Sequence, residues 1–303
     1  MIPPVVDVAW LAGHPQAVIA DVRWYLDGRS GAQAYAAGHI PGAIFIDLDA
    51  ELAAPASPEA GRHPLPDPEK FASAMVDAGV SDDSIVVAYD DAGGFSAGRL
   101  VWMLRAIGVD AALLDGGLAA WPGELSTAEP RETDAEVTFG IRGWGPDVVA
   151  TIDEAARGPV VIDARSAGRY RGEGGAALDP KSGHIPGALS APMTGNLDAS
   201  NHFLAPETLR ERFAALGITD ANPVISYCGS GVTACHNLIA MEYASLGRGR
   251  LYVGSWSQYS ATDRPVATGP HPQRGHLRHG LEGFPHHLHG GFRKCLPVSI
   301  AAL

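Results

Sequence analysis

Short apolar runs alternate with helical patterns along this chain. The runs Ala17–Asp21, Ile85–Tyr89, Val160–Asp163 and Val224–Tyr227 are rich in valine and isoleucine. Their near-continuous apolar character predicts parallel strands buried on both faces. Between them lie helical patterns such as Pro68–Ala78 and Pro206–Leu216. Strand and helix in alternation predict an α/β fold: parallel sheets with helices on both faces and ligands at the carboxyl ends of the strands.

The pattern occurs twice. "AGHIPGAIFIDLD" (37–49) returns as "SGHIPGALSAPMT" (182–194), and "VIADVRWYLDGR" (18–29) as "VVIDARSAGRYR" (160–171). "SIVVAYDDAGGFSAGRLVWML" (84–104) matches "NPVISYCGSGVTACHNLIAME" (222–242), and "ALLDGGLAAW" (112–121) matches "RLYVGSWSQY" (250–259). Four blocks in one order predict two copies of one domain, at 1–125 and 148–269, joined by a polar, proline-bearing linker at 126–147. Residues 270–303 have no counterpart in the first copy. The trio His286, His287 and His289 there is conceivable as a metal site. No carboxylate or cysteine at ligand spacing accompanies it, so the tail reads as a mobile extension and no metal or cofactor is expected.

Composition narrows the function. The 303 residues carry a net charge of −12, which argues against a general nucleic-acid or anionic-membrane binder. Nothing resembles a signal peptide, and no apolar run approaches a membrane span. Three cysteines, Cys228, Cys235 and Cys295, make no disulfide framework, which suits a reducing cytoplasm.

The chemistry gathers at "YCGSGVTACHN" (227–237). Cys228 follows a strand directly and opens a loop with two glycines, before a helix that begins near Thr233. Backbone N–H groups of such a loop, with the helix N-terminus, favour an anionic sulfur. Gly229 and Gly231 permit the tight curl. Ser230 and Thr233 add hydroxyls. A buried structural cysteine is the alternative, but the first copy has Asp90 at the matching position, and a core site seldom exchanges cysteine for aspartate. Cys235, one turn into the helix, reads as a small core residue.

The loop "CGSGVT" (228–233), the doubled "GHIPGA" and the segments "LDGGLAAW" and "GSWSQY" together resemble the two-domain rhodanese family of sulfurtransferases, most closely its mercaptopyruvate-using branch. A phosphatase loop is excluded because Ala234 stands where the phosphate-clamping arginine would be. The resemblance implies tandem rhodanese-like domains, the first inactive, and a Cys228 persulfide. That persulfide would carry sulfur from 3-mercaptopyruvate to cyanide, a small thiol or a thioredoxin-like protein. Thiosulfate is the alternative donor, and a non-catalytic binding or persulfide-relay module is the rival class. The neutral Gly229 and Ser230 favour the donor with less charge. By resemblance, Arg169 binds substrate, together with Gly229, Gly231, Val232 and Thr233. Ser230, His63 and Asp49 form a serine–histidine–aspartate set beside Cys228. Arg165 repeats the spacing of Arg23 and is expected in a structural ion pair. A second substrate arginine is missing from its stretch, where Lys181 is the available cation.

Overall fold

The computed structural model describes residues 1–128, 137–173 and 178–273. Most of the tail, with Cys295 and the three clustered histidines, lies outside them. The first half forms one parallel sheet from β1 (Val5–Val6), β2 (Val18–Asp21), β3 (Ile44–Phe45), β4 (Ile85–Tyr89) and β5 (Asp110–Leu114), in the order β1-β5-β4-β2-β3. The second half repeats it with β6 (Val149–Ala150), β7 (Val160–Asp163), β8 (Leu189–Ser190), β9 (Val224–Tyr227) and β10 (Arg250–Tyr252), in the order β6-β10-β9-β7-β8. Every strand pair is parallel. Two sheets with the same strand permutation are what a duplicated sequence requires.

Both faces of each sheet are covered. Along β4, Val86 and Ala88 enter one core cluster while Val87 and Tyr89 enter another. Along β9, Val224 faces one cluster and Ile225 and Tyr227 the other. The larger cluster runs through both halves. It is bridged by the helices Ala97–Ala106 and Ala234–Tyr243, each of which follows a central strand. These helices are buried nearly all round, as a helix between two sheets must be. Arg105 pairs with Glu242 across the seam at 2.6 Å.

The repeated motifs brace both copies alike. Asp21 holds Arg23 at 2.6 Å, and Asp163 holds Arg165 at 2.5 Å. Each arginine also donates to a glycine carbonyl, Gly38 or Gly183, the first residue of each "GHIPGA". His39 stacks on Tyr35 and His184 on Tyr170, with centroids 3.9 and 3.7 Å apart. The backbone N–H of Ile40 donates to the Tyr89 hydroxyl, and that of Ile185 to Tyr227. "GHIPGA" therefore ties the connection after β2 or β7 to the tip of the central strand. Removing one partner of such a buried ion pair costs on the order of 3–5 kcal/mol, because an uncompensated charge remains inside.

The described end of the linker is anchored. Phe139 is buried edge-on against Phe71, and the Trp144 indole donates to the Pro66 carbonyl. Gly140 and Arg142 both bind Asp82. A stretch that is polar and proline-bearing overall thus contains two aromatic residues that dock on the helix Pro68–Asp77. Among the described residues, no helix is long and apolar enough to cross a membrane.

Candidate active site

β9 is buried along its whole length and delivers Cys228 to the carboxyl edge of the second sheet. The loop then turns back over the sulfur, and the Gly231 N–H points at Sγ from 3.1 Å. Gly231 has φ +80°, and a Cβ there would stand 2.5 Å from the Val253 carbonyl oxygen, so no other residue fits. The turn after β10 clamps the loop from below. Ser255 Oγ accepts from the Cys228 N–H, while the N–H groups of Trp256 and Ser257 donate to the carbonyls of Cys228 and Gly229. This explains the recurrence of a glycine-containing block after the last strand of each copy.

The first copy fills the equivalent loop with its own anion. Asp90 is buried, and its carboxylate accepts from the backbone N–H groups of Ala92, Gly94, Ser96 and Ala97 at 2.8–3.0 Å. Charge-assisted bonds of this kind are the strong ones. The same cradle principle serves a fixed carboxylate in one domain and a thiol in the other.

Across the seam the first domain supplies His63, Arg62 and Asp49. His63 Nδ1 lies 2.8 Å from Ser230 Oγ, and Nε2 lies 3.1 Å from Asp49 Oδ1. The second Asp49 oxygen accepts from the Trp24 indole at 2.8 Å, and the Trp24 ring stands edge-on to His63. The three residues expected as a set are therefore brought into one chain of contacts beside Cys228, although they come from both halves of the sequence. Burial lowers the His63 pKa below its ordinary value; Asp49 opposes the shift, while Arg99 and Arg62 add to it. A neutral ring that donates from Nε2 to Asp49 leaves Nδ1 to accept the Ser230 hydroxyl.

Arg169 reaches the same cavity and donates to Asp179 Oδ2 at 2.7 Å. Arg62 takes the other oxygen of Asp179 and the Leu178 carbonyl. Lys181 is turned away: its ammonium donates to the Thr262 and Arg264 carbonyls. Arg165 is held by Asp163, as its spacing predicts. Cys235 is fully buried, and its thiol donates to the Gly231 carbonyl. Burial pushes its pKa up to about 12, which makes it an inert core thiol.

A cavity of about 290 Å³ opens above Cys228, with Val232 and Thr233 on its wall beside Gly229 and Ser230. Trp24 and Phe95 of the first domain stack across its mouth at 6.4 Å. Arg62, Asp179, Trp24 and Phe95 were not anticipated from the sequence. Arg62 alone left a usable signal, a cation directly before His63. A thiol at a strand end, a Ser230–His63–Asp49 chain of polar contacts and paired guanidiniums thus share one cavity.

Comparison with known proteins identifies the family. The family model described as "Rhodanese-like domain" matches residues 7–124 and again 148–262. The "Probable 3-mercaptopyruvate sulfurtransferase" of Pseudomonas aeruginosa is 44% identical over 272 residues, covering 84% of this chain and 94% of that protein. The "Putative thiosulfate sulfurtransferase SseB" of Mycobacterium tuberculosis is 36% identical over 267 residues, covering 85% of this chain and 93% of that one. The crystal structure of SseA, a 3-mercaptopyruvate sulfurtransferase from Escherichia coli, superposes with a TM-score of 0.71 at 35% identity. It covers 84% of this chain and 100% of its own. The chain belongs to the rhodanese family, and it is a sulfurtransferase built from two rhodanese domains.

Proposed function

We propose that this sulfurtransferase takes sulfur from 3-mercaptopyruvate onto Cys228 and hands it to a thiol. The observation that carries the reading is the Ser230–His63–Asp49 chain beside the cysteine. The Cys228 thiolate attacks the donor's thiol sulfur. The carbon–sulfur bond breaks, and its electron pair passes to carbon as the enolate of pyruvate. The donor's S–H proton is managed by Ser230 and His63 and ends on that carbon. Thiolate and donor thus become persulfide anion and pyruvate, with no proton gained or lost. His63 suits the task because it is neutral near pH 7 and its free nitrogen faces Ser230. Arg169 holds the donor's carboxylate, and the loop N–H groups steady the sulfur.

In the second half-reaction a thiolate acceptor attacks the outer sulfur and regenerates Cys228. The rim carries exposed Leu26 and Leu178 beside Trp24 and Phe95, which suits a protein thiol of the thioredoxin kind as well as a small thiol. The domains divide at 1–125 and 148–269. The first is inactive, because Asp90 saturates its own loop. The reducing cytoplasm fits the two unpaired described cysteines. Thiosulfate stands as the second donor. It is favoured by the pair of guanidiniums at the cavity, which offsets the neutrality of Gly229 and Ser230.

The test is a burst experiment without acceptor. Excess mercaptopyruvate should release one pyruvate per chain and then stop, and a thiol should restart the release. Thiosulfate giving the faster burst would transfer the donor assignment to it, and no burst with either would remove the persulfide mechanism.

A further inference from the structure

We propose that Arg99, a wholly buried cation of the first domain, is a positioning residue that supplies the counter-charge for the sulfur anion on Cys228 across the domain seam. This rests on the reading of Cys228 as the sulfur carrier, whichever donor loads it.

Four arginines are buried among the described residues. Arg23, Arg105 and Arg165 each hold a carboxylate. Arg99 holds none. Its terminal nitrogens donate to the carbonyls of Gly231, His63 and Leu52 at 2.9, 3.0 and 3.4 Å, and its Nε has no partner. Three carbonyl dipoles seat the guanidinium but leave its charge unanswered, and an unanswered charge in the interior is costly. The two copies differ at this position. The matching residue in the second copy is Asn237, whose amide stays inside its own domain, bonded to Asn196 and the Ala191 carbonyl. The cation stands in the copy that lacks the cysteine and reaches the loop of the copy that has it.

The bonds show what the charge faces. Gly231 turns its N–H toward Cys228 Sγ at 3.1 Å and its carbonyl toward Arg99. One glycine thus separates guanidinium from sulfur, which puts the two within about 10 Å of each other. The same arginine grips the His63 carbonyl, so it fixes the loop against the segment that carries the relay histidine. Burial lowers the Arg99 pKa, and the sulfurs of Cys235 and then Cys228 oppose that shift. Arginine stays charged all the same. Burial holds Cys235 neutral, with a pKa pushed up to about 12, so the anion that answers Arg99 forms on Cys228. The other charged groups around the sulfur are Arg62 and Arg169, which share Asp179, then Arg165 on Asp163, and Asp49 beyond His63. Arg62 and Arg169 are 28% and 26% exposed, so water and salt screen them, whereas Arg99 is 0% exposed. After burial and against Asp49, the Arg99 charge also helps to keep His63 neutral.

The test uses the full chain with Arg99→Met, which keeps the length of the side chain and removes its charge. Alkylation of Cys228 by iodoacetamide is followed across pH by peptide mass spectrometry, with the inert Cys235 as control. Near neutral pH, Arg99→Met should react about tenfold more slowly than wild type, the scale of one charge pair at that separation. The two rates should converge at alkaline pH, where the thiol is ionised in both. A loss of the same size at every pH would make Arg99 a strut between domains and overturn the proposal, as would an unchanged rate. Wild type alone supplies a second measurement, which decides the matter should Arg99→Met fail to fold. Iodoacetamide is uncharged and the counter-charge is buried, so the neutral-pH rate should change by no more than about twofold between about 20 mM and about 1 M salt. A larger fall would assign the support of the anion to the exposed guanidiniums and overturn the proposal. If alkylation behaves as expected while neither mercaptopyruvate nor thiosulfate leaves sulfur on Cys228, the carrier reading fails and the counter-charge stands.

Discussion

Replacing His63 by glutamine keeps a polar side chain at the domain seam and removes the base. The geometry sets the size of the effect. His63 lines the cavity, and in the proposed path the donor's proton passes to it through Ser230, 2.8 Å from Nδ1; the Asp49 that steadies its other nitrogen is 62% exposed, so that support is screened by water. General bases contribute about 10²- to 10⁴-fold. A relayed and weakly supported one belongs at the lower end, so mercaptopyruvate turnover should fall by about 10²-fold, or about 2.7 kcal/mol. Thiosulfate provides the internal control. Its sulfite leaves as a stable anion and needs no proton, so that half-reaction should change by no more than about threefold. The assay is single-turnover release of pyruvate or sulfite, followed across pH. The sign is fixed by the base being active when neutral. Burial lowers the His63 pKa below 6.5, so wild-type kcat/KM should hold through neutral pH and fall only as pH drops through that lowered value. The variant should lose this acid limb. Equal loss on both donors would show that His63 merely holds the loop, and no loss on either would refute the relay.

Other expectations follow from the same contacts. Asp90→Cys should acquire no persulfide and should lower stability by about 2–4 kcal/mol, since four buried N–H groups lose their carboxylate; calorimetry and peptide mass spectrometry read the two effects. A sulfane sulfur on residue 90 would contradict the view of a saturated loop. Ser230→Lys should shift the donor ratio toward thiosulfate by about tenfold or more, because it deletes the relay contact and adds a cation beside Cys228. An unchanged ratio of kcat/KM for the two donors would show that the loop does not govern donor choice. A cation at 229 is a poorer probe, since any side chain there must first displace Arg62.

The duplicated chain separates scaffold from chemistry by inspection. Where the copies agree, as in Asp21–Arg23 with Asp163–Arg165 and in the two "GHIPGA" blocks, the side chains lock strand ends to their connections. Where they differ, at Asp90 and Cys228, one domain holds a filled cradle and the other a thiol. Strand ends and the cysteine loop were legible because they are local in sequence. His63 and Asp49 were legible only through family resemblance, since nothing near them marks a loop histidine as functional. Arg62 was passed over because its partner Asp179 is 117 residues away and the two meet only through domain docking. Lys181 looked better placed because it lies in the stretch where a cation was sought. Its carbonyl partners come from the strap around Thr262, which no spacing in the sequence announces.

The central claim is that sulfur travels on Cys228, and peptide mass spectrometry after incubation with mercaptopyruvate and no acceptor tests it most directly. The peptide holding Cys228 should gain the mass of one sulfur atom, lose it on addition of a thiol, and show no gain in Cys228→Ser, whose melting behaviour should match wild type. The buried Cys235 in the same region should stay unmodified throughout. Sulfur on Cys235, or full transfer activity retained by Cys228→Ser, would contradict the account.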